Sequence, residues 1–362
     1  MPKSQRQLYR RRHTTLLGHA HSAAPAPPRP RATPAAPAPV QNLDELRRQA
    51  EIEQDMRLAR DIQQGLLLEA VPRLPGWEIS AVSIPARDLG GDLYDFLPLA
   101  GGWHGIMIGD VSGKGLPAAL RMAVARTVFR HAARRDEAPG TTLVGTNRGV
   151  LSEIPQGMVT MLYARLDIQR GELHIANAGH NYPVLINGQV SELELSGLPL
   201  GVDEECEYTE TRAYIQPGNT VVLYTDGVVE AGPQDGDIYG YDRLEQMLQV
   251  NAHLKPRALM AALLHELRAW SGSEQADDIT MVIIRRRLAA VGAELRSIAD
   301  DVLEPARAEQ IWQAVDLPAP AAPAEQWAEL LPALVGQTQI RFGRGLAREL
   351  NAQLRLALEE YR

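Results

Sequence analysis

One cysteine, Cys206, stands in a chain of 362 residues, which excludes an internal disulfide framework and fits a reducing compartment. No apolar run approaches the roughly 18 residues needed to cross a bilayer, so no transmembrane helix is expected. No two histidines stand at ligand spacing beside a cysteine pair, which argues against zinc. A nucleotide-binding phosphate loop is missing as well. Gly109 to Gly115 has its superficial look, but Ile108 occupies the first glycine position and Gly115 replaces the Ser/Thr after Lys114. A thiol-based phosphate site fails too, since Cys206 lies in Glu204-Glu205-Cys206-Glu207, where acidic neighbours disfavour a thiolate and repel phosphate.

What is present divides unevenly. The net charge of −8 conceals a basic stretch, residues 1–40, with seven Lys/Arg, no Asp/Glu and eight of the 25 prolines. The remainder therefore carries about −15, an acidic body that disfavours nucleic acid as the main partner and suits divalent cations. Residues 1–42 read as a disordered basic Pro/Ala-rich arm. Arg10-Arg11-Arg12 has no adequate apolar stretch after it to make a secretion signal, Leu16-Leu17 being too short. The expected location is cytoplasmic.

From Leu43 to about Leu68 the spacing predicts a helix, and residues 43–70 are taken as a regulatory helix that leads into the next domain. Ile52, Met56, Ala59, Gln63 and Leu66 follow a 4-3-4-3 spacing, a seam that serves either a second copy of the helix, in a homodimer, or packing on its own domain. Pro72, Pro75 and Gly76 end it. Residues 71–287 read as one domain. Strands are expected at Trp77–Ser83, Gly105–Ile108, Val159–Ile168, Glu172–Asn177, Tyr182–Ile186, Val190–Leu195, Thr209–Ile215, Thr220–Tyr224 and Ile279–Arg285. Helices are expected at Pro117–Arg134, Thr141–Glu153, Tyr241–Val250 and Pro256–Ala269. Because strands come in blocks between helices, the fold class is α+β, with antiparallel sheets covered by helices. Residues 288–362 form a helical C-terminal extension, roughly Ala289–Leu303, Ala306–Ala314, Glu325–Leu334 and Ile340–Tyr361. Leu346, Leu350, Leu354, Ala357 and Tyr361 make an apolar stripe on its last helix, to dock on the preceding domain or on a partner.

The chemistry lies in carboxylates placed where apolar runs meet loops. Ile106-Met107-Ile108 leads to Gly109-Asp110-Val111-Ser112-Gly113-Lys114-Gly115, and three other places share the pattern: Gly90-Gly91-Asp92 with Asp95 beyond, Tyr224-Thr225-Asp226-Gly227, and Asp277-Asp278-Ile279-Thr280. Any single aspartate of this kind is usually a turn or helix cap. Four together imply a cage for hard divalent ions, which take oxygen ligands, and a charge of −4 balances two such ions. His180, after Ala178-Gly179, reads first as a structural hydrogen-bonding residue and second as a general acid. Arg87 reads equally as a contact for an anionic substrate group and as a plain surface arginine.

In order along the chain, Ala59-Arg60-Asp61-Ile62-Gln63, Pro85-Ala86 with Gly90 to Asp95, Gly109 to Gly115, Asn177-Ala178-Gly179-His180-Asn181, Gly197-Leu198-Pro199-Leu200-Gly201, Tyr224 to Gly227 and Asp277 to Thr280 resemble the SpoIIE/RsbU branch of the metal-dependent (PPM, type 2C) serine/threonine phosphatases. The resemblance implies a β-sandwich of two antiparallel sheets flanked by helices. By position, Asp110 matches the aspartate that bridges two metal ions, with the Val111 carbonyl as a further ligand. Asp92 matches the aspartate on one side, and Asp226 and Asp277 those holding the other ion, with Asp278 serving instead of or behind Asp277. Two ions, Mn²⁺ or Mg²⁺, are implied, as is hydrolysis of phosphoserine or phosphothreonine on a regulatory phosphoprotein, such as an anti-sigma-factor antagonist, by a metal-bridging water. Regulatory partners are expected through residues 43–70 or 288–362. The alternative is a catalytically silent binding or sensing module on the same fold. Two departures qualify the match: Ser112 stands where the wider family often has histidine, and Leu66-Leu67-Leu68-Glu69 lacks the proline common after the leucine pair.

Overall fold

The computed structural model describes residues 43–67, 71–154, 157–233, 236–272, 275–319 and 322–361. The basic arm and the Leu68-Glu69 departure lie outside these residues. Contacts divide the chain into two compact units, residues 1–50 and 51–362. In the first, the described residues 43–50 are helical.

The second unit contains the rest of helix α1 (Leu43–Leu67) and ten strands: β1 (Trp77–Ile84), β2 (Leu93–Pro98), β3 (Trp103–Val111), β4 (Val159–Asp167), β5 (Glu172–Ala178), β6 (Val184–Ile186), β7 (Val190–Glu192), β8 (Glu210–Tyr214), β9 (Thr220–Tyr224) and β10 (Ile279–Arg286). They form two five-stranded sheets, ordered β1-β10-β9-β6-β7 and β2-β3-β4-β5-β8. Every pairing is antiparallel. Helices α2 (Leu116–Ala133) and α3 (Pro139–Glu153) cover the second sheet, while α4 (Tyr241–Val250) and α5 (Pro256–Ser271) cover the first.

Period-two alternation builds the layers. On β3, Ile106 and Ile108 join the core between the sheets, whereas Met107 and Val111 face α2 and α3. On β10, Val282 and Ile284 point into the same inter-sheet core, and Met281 and Ile283 point to α4 and α5. With both faces covered, the central strands read as unbroken apolar runs.

The expected sandwich is therefore present, with corrections in detail. Strand β2 was not foreseen, because Asp95 interrupts its apolar pattern. Burial is tolerated there through ion pairs to Arg130 at 2.6 Å and Arg126 at 3.2 Å, both on α2. Asp110 sits inside β3, which runs on to Val111, instead of at its end.

Beyond β10 come α6 (Val291–Leu303), α7 (Pro305–Trp312), α8 (Ala324–Phe342) and α9 (Arg344–Glu360), packed round a core that includes Trp312, Trp327, Leu350 and Leu354. The break expected after Leu334 falls at Gly343 instead, whose φ of +93° favours glycine. The stripe on α9 packs within this helical group, and the Tyr361 hydroxyl donates to the Leu288 carbonyl. Glu294 of α6 fastens the group to the sandwich. Fully buried, it meets Lys255 at 3.2 Å and Arg285 and Arg287 at 3.4 Å each, and accepts the Leu288 N–H at 2.9 Å.

Candidate metal centre

The four acidic stretches meet at one end of the sandwich. Asp92 precedes β2, Asp110 lies near the end of β3, Asp226 follows β9 in a short turn, and Asp277-Asp278 precede β10. Two carboxylates, Asp92 and Asp110, thus come from one sheet's side, and three, Asp226, Asp277 and Asp278, from the other's. Their proximity registers electrostatically. Burial, then Asp226, Asp277 and Asp278, push the Asp110 carboxyl up to about 7. Burial and then Asp110 raise Asp92 well above the usual carboxylate range, although Thr225 Oγ donates to it at 2.8 Å. Asp226 is raised by burial and then by Asp277, against the Gly227 N–H and Lys114.

Backbone packing explains the glycines. A Cβ on Gly91 would stand 2.6 Å from the Val111 carbonyl oxygen, and one on Gly227 would stand 2.0 Å from the Asp278 carbonyl oxygen. Neither contact is tolerable, so only glycine lets these loops close on one another.

Asp278 differs from its neighbours. Its oxygens accept the Ala86 N–H at 2.7 Å and the Gly91 N–H at 2.6 Å. It ties β10 to the loop before Asp92. Asp277 is more open; its Oδ1 accepts the Asp278 N–H at 2.9 Å, and its Oδ2 meets the Lys114 ammonium at 2.8 Å.

The helix α1 reaches the same loop. Buried Gln63 donates to the Gly90 carbonyl at 2.7 Å and accepts the Gly90 N–H at 3.2 Å, and Arg60 pairs with Asp88. Sequence reading placed Gln63 in the seam and at the end of the Ala59–Gln63 motif but gave it no partner; its amide, with one donor and one acceptor end, was the signal for such a two-way bridge. Along the seam, Ile52 is exposed, Met56, Ala59 and Leu66 are half-buried, and Gln63 is covered.

Other candidates have local work. Ser112 Oγ accepts the Met158 N–H at 3.2 Å. His180 is buried, bonds Thr160 Oγ1 through Nδ1 at 2.9 Å, and is pulled down by burial to about 4, so it is a neutral imidazole at pH 7. Its turn is held by Asn177, which accepts the His180 N–H at 2.8 Å. Arg87 is exposed.

Among the described residues, no three His, Cys, Asp or Glu side chains are already drawn to ligand spacing about one point. The donor chemistry nevertheless fits hard divalent cations: oxygen donors only, with buried carboxylates whose mutual repulsion a cation would relieve.

The family model for Stage II sporulation protein E (SpoIIE) matches residues 101–287, just over half of the chain. The chain belongs to the SpoIIE family. Among SpoIIE-like relatives, the phosphoserine phosphatase RsbU of Bacillus subtilis is 28% identical over 244 residues, covering 66% of this chain and 72% of RsbU. The phosphoserine phosphatase RsbP of the same organism is 27% identical, and the match spans 49% of this chain and 45% of RsbP. Among solved structures, the SiaA-PP2C domain of Pseudomonas aeruginosa is 27% identical with a TM-score of 0.58, covering 66% of this chain and 97% of that domain. The RsbU and RsbW domains of Rv1364c from Mycobacterium tuberculosis match at 22% identity and TM-score 0.54, over 75% of this chain and 77% of that one, a likeness of fold. The SpoIIE family match ends where β10 ends, leaving α6 to α9 outside it.

Proposed function

We propose that this chain is a divalent-cation-dependent protein phosphatase that hydrolyses phosphoserine or phosphothreonine on a regulatory protein, such as an anti-sigma-factor antagonist, in the cytoplasm. The observation that carries the reading is the convergence of aspartates from both sheets, close enough that Asp226, Asp277 and Asp278 each raise Asp110. Membership of the SpoIIE family and two relatives named phosphoserine phosphatase point to the same activity class. Among the described residues, no helix is long and apolar enough to cross a membrane.

Asp110, the Val111 carbonyl and Asp92 would hold one Mn²⁺ or Mg²⁺, and Asp110 with Asp226 and Asp277 the other. Asp278 acts behind them, since its oxygens already serve two backbone amides. When bound, such ions activate water for in-line attack and offset charge on the phosphate oxygens. The chain's own part is to position. Water oxygen bonds to phosphorus, the bond to the seryl oxygen breaks, and that oxygen leaves as a hydroxyl, with inorganic phosphate as the other product. Ser112 and neutral His180 are engaged in the fold, so proton delivery to the leaving oxygen falls to solvent.

The division into arm (1–42), regulatory helix (43–70), phosphatase domain (71–287) and helical extension (288–362) is part of the proposal. With the α9 stripe already covered, a partner or second copy is better served by α1. The test is hydrolysis of an aryl phosphate and a phosphoserine peptide with Mn²⁺, with Mg²⁺ and with chelator. Cation-dependent turnover that disappears in Asp110→Ala supports the reading. A folded, cation-loaded wild type inert on both substrates would support the silent binding module.

A further inference from the structure

Lys114 is the cation already inside the acidic cluster. Its ammonium lies 2.8 Å from Asp277 Oδ2 and donates to the Ala276 carbonyl at 2.7 Å. Burial, and then neighbouring carboxylates, raise Asp226 and Glu230, and the same ammonium draws both back down. One lysine thus serves the acidic groups that a divalent ion between Asp226 and Asp277 would have to satisfy. It is loosely held. Gly113 and Gly115 flank it with φ of +108° and +72°, and its side chain is 43% exposed. Glycine on both sides removes the usual steric limit on re-aiming the loop, and an ammonium on a four-carbon stem is a compact charge with free rotation.

The loop's position sharpens the point. Lys114 follows Asp110 and Val111 by only a few residues, so it enters from the side of the first cation's donors and reaches across to the second's. Asp277 Oδ1 is occupied by the Asp278 N–H. A cation drawn to Asp277 therefore finds one oxygen engaged by a backbone N–H and the other, Oδ2, held by the ammonium. Two cations sharing one carboxylate oxygen repel strongly at such separations. Each therefore weakens the other's hold on Asp277.

We propose that Lys114 is a displaceable internal counter-ion, competing with the divalent cation for Asp277 and, once displaced, left at the mouth of the site to meet the phosphate dianion. The inference rests on the reading that Asp226 and Asp277 hold a cation. It makes substrate capture conditional on metal loading, because the same ammonium cannot neutralise Asp277 and receive phosphate. Lys114 is here a charge-balancing residue that becomes a substrate contact once the divalent cation has replaced it.

The test uses the full chain and Lys114→Met, with Mn²⁺ binding followed by titration calorimetry at low and high salt. Removing a half-exposed competitor should tighten the weaker Mn²⁺ site about three- to tenfold at low salt, with a smaller gain at high salt. The KM for a phosphoserine peptide should rise several-fold at saturating Mn²⁺, a larger change than that in kcat. Unchanged or weaker Mn²⁺ binding in the variant would overturn the proposal, as would an unaltered KM. A melting curve with and without Mn²⁺ checks that the variant is folded. If wild type takes up no Mn²⁺, the cation-dependent reading itself fails, and this inference with it. That result is distinct from a wild type that binds and a variant that binds no tighter.

Discussion

Replacing Glu294 should unfasten the C-terminal helices from the sandwich. The side chain is completely buried and faces three cations, Lys255, Arg285 and Arg287, whose side chains are only 9%, 8% and 5% exposed. Glu78 pairs with Arg285 at 3.0 Å and Arg287 at 3.2 Å, and Asp301 lies 3.8 Å from Lys255. Among the described residues, these three positive groups thus face three negative ones. Glu294→Gln keeps the shape and withdraws the buried carboxylate that faces all three cations, a loss of about 3–5 kcal/mol, or roughly 10 °C in melting temperature. The dependence on pH has a definite sign. Burial alone would raise the Glu294 carboxyl, but Lys255, Arg285, the Leu288 N–H and Arg287 together bring it below its ordinary value. A carboxyl depressed on folding contributes stability above its unfolded value of about 4.3 and loses it as pH falls through the folded one. The gap between wild type and Glu294→Gln should be full at pH 7 and close below about pH 4. Urea unfolding at both pH values measures it, and limited proteolysis between β10 and α6 locates the opening. A gap under about 1 kcal/mol at pH 7, or one indifferent to pH, would refute the charge-balance argument.

The adjacent aspartates 277 and 278 should separate by phenotype. Asp278→Asn can keep only one of its two acceptor roles toward Ala86 and Gly91, and should lose about 1–3 kcal/mol in stability. Asp277→Asn should leave melting nearly unchanged yet weaken Mn²⁺ binding at least about tenfold; equal behaviour of the two would undo the distinction. Gly91→Ala places a methyl 2.6 Å from the Val111 carbonyl oxygen, forcing that backbone donor aside. Calorimetry should show weakened Mn²⁺ uptake, and an unaltered affinity would mean that this carbonyl is not a ligand.

Much of the architecture was readable because its strands are simple. Val159–Asp167, Thr220–Tyr224 and Ile279–Arg286 are largely apolar, β-branched-rich runs between turn residues, and they emerge within a residue or so of their expected limits. β2 escaped because its stabilisation is non-local: Asp95 is satisfied by Arg126 and Arg130, more than thirty residues further along the chain. The break between α8 and α9 was misplaced for a different reason. The expected gap, residues 335–339, lies inside α8, which packing of Trp327, Leu331 and Leu334 sustains, so the local pattern lost to tertiary contacts. At the candidate site, the ordered carboxylate motifs singled out residues that the fold brings near one another, but not the different contacts each makes. That Asp278 braces while Asp277 stays open depends on which backbone N–H groups arrive from residues 86 and 91, nearly two hundred positions away. Likewise, nothing in the spacing of Gln63 announces its double bond to Gly90.

Strand β10 has a mechanical consequence. It runs between β1 and β9, with the aspartates 277 and 278 at its start and Arg285 and Arg287, which grip Glu294, at its finish. At about 3.4 Å per residue it is a rod of roughly 25 Å. A tug on the helical extension loads this rod lengthwise, so its ladders to both neighbours are sheared together and none can be unzipped singly. Sliding by a single residue would turn Val282 and Ile284 out of one layer and into the other. The rod therefore holds its register or fails as a whole, and small displacements at the far end are absorbed before they reach the aspartates.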